Sequence, residues 1–310
     1  MIYLDDSIMQ KGCISSAGSK ILENFTAPFN ATVVDRLENA EPQEKTKRTR
    51  LAEFGLTDPG ELPGTTMLCN DVFGHVRRRA AEQELFYLRP TYGTVSRYGL
   101  IPTASSIDQI GIVCCKPDAG LQLLKTIAGY DEKDGAMFPE KNYNYKTENK
   151  TIRIKTPCSS ELINNSDICS QTLQILAFAE ICNNISRYDG IKFGYRSSNY
   201  KNLEELYIKT RSEAFSPEAK LAAVMGCLIL SKNYYAKFYE KSMKIRRLLK
   251  QSVLRLFNEC DVLAVSIDNP VAVLAGLPSL SFSFKGNPVQ LVADVKAEAH
   301  LLTAWEAEYT

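Results

Sequence analysis

The chain has 310 residues, of which 45% are hydrophobic, 24% charged and 9% aromatic. This composition excludes disorder over most of the length and excludes a fibrous repeat, and the length allows one large α/β domain or two average ones. The 37 basic and 36 acidic residues give a net charge of +1, so the chain as a whole lacks the basic character of a nucleic-acid-binding protein.

Nine cysteines and two histidines bear on metal and redox chemistry. No CxxC spacing occurs and two histidines leave little room for a metal site, so we expect neither a metal nor a cofactor. The odd number of cysteines favours reduced thiols in the cytoplasm or an organelle matrix. The N-terminal residues lack the features of a targeting segment, and the apolar stretch LAAVMGCLIL (221–230) is too short to span a membrane.

The first part of the chain predicts short elements separated by turns. Helical pieces are expected at 14–25 and 31–40, and the charged run EPQEKTKRTR (41–50) is expected to be a solvated loop or helix face. The turn signals TDPG and LPGTT follow, so the whole of 41–66 is interpreted as loop-like. Residues 88–115 are rich in Gly, Pro, Ser and Thr between β-prone runs, which predicts strands and tight turns.

The second part alternates helices with strands. Ala119, Leu123 and Ile127 recur at helical spacing before Gly129, and 131–165 is loop-like. Further helices are predicted at 166–190, at 202–257 and near the C-terminus, with strands at 260–267 and 279–284. Interleaved strands and helices favour a layered α/β domain.

Residues 232–257 form the basic half of the long helical block, with eight Lys or Arg residues and one Glu. This helix could approach phosphates or an acidic partner, but most of its lysines are predicted to lie opposite the apolar side, as on any solvated helix. That predicted apolar side consists of Phe238, Ile245, Leu248, Leu249 and Leu256.

Three segments carry a specific resemblance: LRPTYGTVSRYGLIPTASSIDQIG (88–111), RYDGIKFGYR (187–196) and LAGLPSLS (274–281). Together they resemble the amidase-signature family, and RYDGIKFGYR resembles the branch formed by the A subunits of Glu-tRNA(Gln)/Asp-tRNA(Asn) amidotransferases. The resemblance implies a single α/β domain over 1–310, with a mixed, twisted β-sheet covered by helices. The regions 41–66 and 131–165 are shortened relative to the family.

The resemblance also implies an activity and partners. The A subunits hydrolyse glutamine and pass the ammonia to a B subunit, which amidates mischarged tRNA, while a C subunit braces the pair. B and C subunits are therefore the implied partners, and any contact with tRNA would be indirect.

The family's chemistry uses a serine nucleophile, a second serine and a neutral lysine, because a serine hydroxyl attacks an amide only when a base accepts its proton. In LDDSIMQKG (4–12), Asp5 stands at the position of the lysine. Counting back from Pro90, His75 stands at the position of the nucleophile. Thr65, after Pro63 and Gly64, is the remnant of the second serine's run.

Other residues of the nucleophile's turn are retained. Asp71, Gly74 and Arg77 match the family's pattern, whereas Val72 and Phe73 replace a threonine and a glycine. Phenylalanine threatens the tight backbone that an oxyanion-binding turn needs. No triad position is intact, which predicts that the chain does not hydrolyse glutamine by the family mechanism.

Several residues invite other interpretations. His75 with Asp71 and Cys69 could be a base, its orienting group and a nucleophile, although an ordinary polar histidine is favoured. Ser105 and Ser106 are interpreted as structural. The run Arg77, Arg78 and Arg79 is expected to be a solvated face, and His300 is expected to be a boundary residue of the C-terminal helix.

Three functions remain open from the sequence. The first is a non-catalytic binding or scaffold partner derived from an A subunit. The second is a working A subunit that supplies ammonia, which requires a serine or cysteine facing a buried lysine. The third is a chain without a selected function, since the internal deletions threaten core packing.

Overall fold

A computed structural model describes residues 1–40, 46–145, 151–158 and 161–309. Within these residues, nine strands form one sheet in the order β2-β1-β3-β5-β4-β8-β9-β7-β6. The strands are β1 (Ile2–Asp5), β2 (Thr46–Thr49), β3 (Thr66–Asn70), β4 (Phe86–Arg89), β5 (Ile110–Cys114), β6 (Ile154–Lys155), β7 (Val262–Ser266), β8 (Ser279–Phe284) and β9 (Asn287–Ala293). The pairs β1–β2, β1–β3 and β6–β7 are parallel and the other five are antiparallel, which confirms the predicted mixed sheet.

Nine α-helices cover the sheet in the described part of the chain. They are α1 (Thr32–Ala40), α2 (His75–Glu82), α3 (Pro117–Ile127), α4 (Ser166–Ile185), α5 (Leu203–Ala214), α6 (Pro217–Leu230), α7 (Lys241–Leu256), α8 (Val271–Ala275) and α9 (Glu298–Glu308). Short 3₁₀ turns lie at Lys20–Leu22, Glu53–Gly55 and Leu162–Asn164, and Ala236–Glu240 is π-helical. The predicted α/β class is confirmed.

Several of these helices begin at residues whose side chains cap them. Asn165, Asn202 and Ser216 each accept a hydrogen bond from a backbone N–H of the first turn of α4, α5 and α6, respectively. Pro117 and Pro217 occupy first-turn positions, where a missing N–H costs nothing.

Strand residues alternate between the two faces of the sheet. Met67 and Cys69 of β3 pack with Val76 of α2, whereas Leu68 between them packs with Leu124 of α3. Helices α1, α3 and α9 share the core on the Leu68 face, and α4, α6, α7 and α8 enclose the largest core cluster.

The structure differs from the sequence predictions at several places. Thr46–Thr49, predicted to lie in a loop or helix face, form an edge strand parallel to β1, and residues 41–45 lie outside the described residues. Only a 3₁₀ turn forms in 14–25. The loop-like region 131–165 contains the short strand β6 and a 3₁₀ turn, with 146–150 and 159–160 outside the described residues.

The stretch 221–230 belongs to α6. No helix in the described part of the chain is long and apolar enough to cross a bilayer.

Candidate functional site

The carboxyl end of β1 and the connection from β3 to α2 meet at one edge of the sheet. Leu4 pairs with Leu68 in parallel register, so Asp5 lies beside the end of β3, where Asp71 and His75 follow. Thr65 is exposed at the opposite end of β3, roughly 13 Å away at 3.3 Å per strand residue. The fold therefore brings Asp5 and His75 to one cavity and leaves Thr65 outside it.

Asp5 is buried, and its carboxylate binds local donors. The Ser7 hydroxyl and backbone N–H donate to Oδ2, and the Leu51 N–H donates to Oδ1 at 3.3 Å. Burial, with repulsion from Asp6 as the second cause, raises the pKa of Asp5 from 3.8 to about 6. A carboxyl group at this position cannot supply the neutral amine that the family mechanism uses.

Asp71 organises the start of α2. Its Oδ1 accepts hydrogen bonds from the N–H groups of Gly74 and Val76 at 3.0 and 3.1 Å, and its Oδ2 accepts one from the Arg77 N–H at 3.2 Å. These N–H groups lie before or within the first helical turn, where no intrahelical acceptor exists. The Gly74 N–H is thus committed to Asp71 and not to a ligand.

Arg77 lies fully buried beneath this turn. Its Nε donates to the Ile267 carbonyl at 2.8 Å and its Nη2 donates to the Asn269 carbonyl at 3.5 Å. Gly74 has φ of +87°, a conformation that favours glycine, and it leaves room for the guanidinium. Arg77 therefore joins the turn to the end of β7.

His75 begins α2 as its first residue, and the centroid of its ring lies 6.4 Å from that of Phe73. Burial, opposed by the nearby Asp71, lowers the pKa of His75 below its ordinary value, so the imidazole is neutral near pH 7. The Phe73 ring packs against the Phe178 ring at 6.1 Å. Phe73 is thus one of the partly buried residues that pack against the largest core cluster.

The cavity between Asp5 and His75 has a volume of about 20 Å³. A space of this size holds about one water molecule. Its wall is completed by the segment between β2 and β3; the described lining residues are Asp5, Leu51, Ala52, Gly55, Thr57, Pro59, Asn70, Asp71, His75 and Val76. None of these residues is a lysine, a serine or a cysteine.

Cys69, considered as a nucleophile, is buried within β3. Burial, with the charges of Asp5 and Asp71 in addition, raises the pKa of its thiol well above the ordinary value. Such a thiol is a poor nucleophile because the reactive thiolate is disfavoured. Among the described residues, no group of three or more His, Cys, Asp or Glu side chains is arranged to hold a metal ion.

Ser106 is held by groups that the sequence did not connect to it. Its hydroxyl donates to Glu180 Oε1 at 2.5 Å and its N–H donates to Glu180 Oε2 at 2.8 Å. Arg246 of α7 donates to the Ser106 hydroxyl and carbonyl, both at 2.9 Å. These contacts give Ser106 a structural role, and no short sequence motif links the three positions.

The arginine run divides between the core and the surface. The predicted solvated face is wrong for Arg77, which is buried, whereas Arg78 pairs with Asp268 and Arg79 pairs with Asp58 at the surface. His300 is half-buried in α9, as expected for a boundary residue.

The predicted apolar side of the basic helix is also wrong in part. Leu249 and Leu256 are buried, but Phe238 is 37% exposed and Leu248 is 51% exposed.

Comparison with known proteins fixes the family. The model of the family described as Amidase matches residues 66–157 and 160–281, which is more than half of the chain. The chain belongs to the amidase family.

Curated relatives in this family are A subunits of glutamyl-tRNA(Gln) amidotransferases. The chain is 31% identical to the A subunit from Lachnoclostridium phytofermentans, over 90% of this chain and 74% of that protein. It is 32% identical to the A subunit from Nitrosococcus oceani, over 96% of this chain and 80% of that protein. The latter alignment spans 388 positions, more than the 310 residues of the chain, so the relative contains internal segments that this amidase-family chain lacks.

Solved structures agree with the fold. The A subunit of the glutamyl-tRNA(Gln) amidotransferase from Thermotoga maritima superposes with a TM-score of 0.67 at 23% identity, over 99% of this chain and 82% of that one. A second solved structure superposes with a TM-score of 0.74 at 16% identity, over 98% of this chain and 82% of that one. It comes from a vestigial protein complex described as revealing the evolutionary origins of an s-triazine catabolic enzyme. The internally shortened chain therefore keeps the fold of the amidase family.

Proposed function

We propose that this chain is a member of the amidase family, similar to the A subunits, that does not hydrolyse glutamine by the family mechanism and acts as a binding or scaffold partner. The observation that carries the proposal is the chemistry of the cavity between Asp5 and His75. It contains an acid at the lysine position and an imidazole at the nucleophile position, and it holds about one water molecule.

The turn that follows β3 supports the same proposal. An oxyanion site needs free N–H groups directed at the developing charge. The Gly74 N–H donates to Asp71, and Phe73 occupies the position of a glycine. The retained residues Asp71, Gly74 and Arg77 thus brace the turn and leave it without a hydrolytic role.

The alternative, a working A subunit that hydrolyses glutamine, needs a hydroxyl or thiol facing a buried lysine. No lysine is buried in the part of the chain that the structure describes. Ser106, which lies elsewhere, is bonded to Glu180 and Arg246. These contacts do not favour the alternative.

An exposed apolar row on α6 supports a role in binding a partner. Leu221, Val224, Met225 and Leu228 recur at helical spacing, and their exposed fractions are 57%, 66%, 36% and 42%. Such a row on a helix surface is typical of a protein–protein contact. The relatives are subunits by name, so we propose a B or C subunit of an amidotransferase as the partner, with any tRNA contact made through it.

The proposed compartment is the cytoplasm or an organelle matrix. The odd number of cysteines in the chain supports a compartment in which thiols stay reduced.

Glutamine hydrolysis by the purified chain tests the catalytic part of the proposal. We expect no release of ammonia or glutamate above that of a His75→Ala variant, with the glutamyl-tRNA(Gln) amidotransferase of Nitrosococcus oceani as the active control. Hydrolysis that His75→Ala abolishes would contradict the proposal.

Co-expression with the B and C subunits of the source organism tests the binding part. We expect the chain to co-purify with these subunits. The substitution Val224→Asp should reduce the amount of complex recovered at least tenfold. Leu248→Asp is the matched control, because it places the same charge at an exposed leucine of α7 outside the row. Equal loss in both variants, or no complex with the unsubstituted chain, would contradict a specific contact at α6.

A further inference from the structure

Two thiols from different helices are in contact. Cys182 Sγ of α4 lies 3.2 Å from Cys227 Sγ of α6, and the two residues are 45 positions apart in the chain. Both cysteines are free; Cys227 is exposed and Cys182 is half-buried. Their contact therefore results from the packing of α4 against α6 and not from chain proximity.

Gly226 allows this contact. A Cβ added at Gly226 would lie 2.3 Å from the Phe178 carbonyl oxygen and 2.4 Å from the Cys182 Cβ, so only glycine permits α6 to lie directly on α4 here. The next residue, Cys227, then directs its sulfur at Cys182. The spacing of the two thiols is thus built into the helix interface.

Cys182 lies between two residues of α4 that hold another segment. Glu180 binds the Ser106 hydroxyl and N–H, and Asn184 Nδ2 donates to the Thr103 carbonyl at 3.0 Å. A covalent link at Cys182 would restrain the part of α4 that carries both contacts. The segment 103–106 would be restrained with it.

We propose that Cys182 and Cys227 form a reversible disulfide between α4 and α6, a redox switch that a low-molecular-weight disulfide such as glutathione disulfide drives. The exposed Cys227 thiolate attacks one sulfur of glutathione disulfide and releases one glutathione. Cys182 then loses its proton to solvent and attacks the Cys227 sulfur, which releases the second glutathione. Two protein thiols are oxidised and one glutathione disulfide is reduced to two thiols.

The order of the two steps follows from the surroundings of the thiols. Burial, then the hydrogen bond with Cys227, raises the pKa of Cys182 to about 11, so Cys182 is the poorer first nucleophile. Once Cys227 carries glutathione, the attack by Cys182 is intramolecular, and the contact between the two sulfur atoms gives it a high effective concentration.

The test treats the native chain with glutathione disulfide, alkylates the remaining thiols, digests the protein and identifies linked peptides by mass spectrometry. We expect a Cys182–Cys227 cross-link and the loss of two titratable thiols in the unsubstituted chain. In Cys182→Ser, Cys227 should accumulate as the glutathione mixed disulfide. Cys158→Ser, which removes another exposed thiol, should leave the cross-link unchanged.

Hydrogen exchange gives a second measurement. We expect the amides of 103–106 to exchange several-fold more slowly in the oxidised chain and to recover when dithiothreitol is added. A stable mixed disulfide at Cys227 without a cross-link in the unsubstituted chain would overturn the proposed disulfide. A cross-link that leaves exchange at 103–106 unchanged would overturn the switch.

Discussion

The guanidinium group of Arg77 occupies the space in which a side chain at Gly74 would lie. A Cβ added at Gly74 would be 2.7 Å from both Cζ and Nη2 of Arg77. Arg77 is itself bonded to the Ile267 carbonyl, so it cannot withdraw without leaving buried polar groups unpaired. The two residues therefore depend on each other for their packing.

Gly74→Ala is expected to lower the free energy of unfolding by about 2–4 kcal/mol, because the substitution adds left-handed backbone strain to a steric clash. Denaturant unfolding measures the loss. Gly64→Ala is the matched control, since no atom of the described residues other than its chain neighbours lies within 4 Å of a Cβ at Gly64. Its effect should stay within about 0.5 kcal/mol. Similar losses in both variants would contradict the packing of Arg77 under Gly74.

Asp5 should lower the free energy of unfolding as the pH rises, which is the opposite of the usual effect of an aspartate. Its pKa is about 6 in the folded chain against an ordinary 3.8, so between these pH values the folded chain holds a proton that the unfolded chain releases. The contribution of Asp5 to the free energy of unfolding is complete below about pH 4 and is lost as the pH rises through 6. At pH 7 its ionisation costs on the order of 3 kcal/mol.

The variant Asp5→Asn tests this sign. Denaturant unfolding at pH 4 and pH 7 should show that the variant gains stability relative to the parent chain as the pH rises. Asp131→Asn is a control in which the pKa shift has the opposite sign. Burial raises the pKa of Asp131, but the hydrogen bonds from Ser96 and Thr32 outweigh burial, so the pKa of Asp131 is lowered. If the free energies of unfolding of the parent chain and of Asp5→Asn differ by the same amount at pH 4 and at pH 7, the raised pKa of Asp5 is refuted.

Ser106 and Ser105 are adjacent hydroxyls with different surroundings. Ser106→Ala should cost about 1–3 kcal/mol, because Glu180 loses a donor while Arg246 loses an acceptor. Ser105→Ala should have a smaller effect, since the Ser105 hydroxyl accepts only a 3.3 Å hydrogen bond from Asn184. Thermal unfolding of both variants makes the comparison, and a larger cost at Ser105 would contradict the structural role of Ser106.

Helices were predictable wherever an apolar period or a cap marks them. The spacing of Leu123 and Ile127 predicted α3, and Pro117 begins it. Strand β2 was not predictable, since the polar sequence of Thr46–Thr49 has no alternation; it forms because β1 supplies backbone partners. Edge strands need no buried face of their own.

Other differences arise where tertiary contacts override a local pattern. The burial of Arg77 follows from carbonyls 190 positions or more away in the chain, which no local motif shows. The π-helical turn at Ala236–Glu240 interrupts the α-helical spacing that the sequence prediction assumed between Phe238 and Leu249, and of these two only Leu249 is buried. Likewise, the separation of Thr65 from Asp5 depends on the direction of β3 relative to β1.

Placing a lysine and a serine at the two positions that the family resemblance assigns to the triad should not produce hydrolysis of glutamine. In the double variant Asp5→Lys, His75→Ser, we expect glutamine turnover to stay at the level of the unsubstituted chain, because no second serine is among the described residues that line the cavity. Phe73 remains in the turn, and the cavity still holds about one water molecule. Ammonia release measures turnover, and circular dichroism confirms that the variant is folded.

A tenfold rise in ammonia release by the folded double variant would show that the cavity opens to admit glutamine. The lack of hydrolysis that we propose would then rest on the side chains of Asp5 and His75 alone. No rise, together with none when Phe73→Gly is added, would attribute the proposed lack of hydrolysis to the segment between β2 and β3 that closes the cavity. That segment supplies half of the lining residues: Leu51, Ala52, Gly55, Thr57 and Pro59. Because these residues leave a cavity that holds only about one water molecule, we expect the second result.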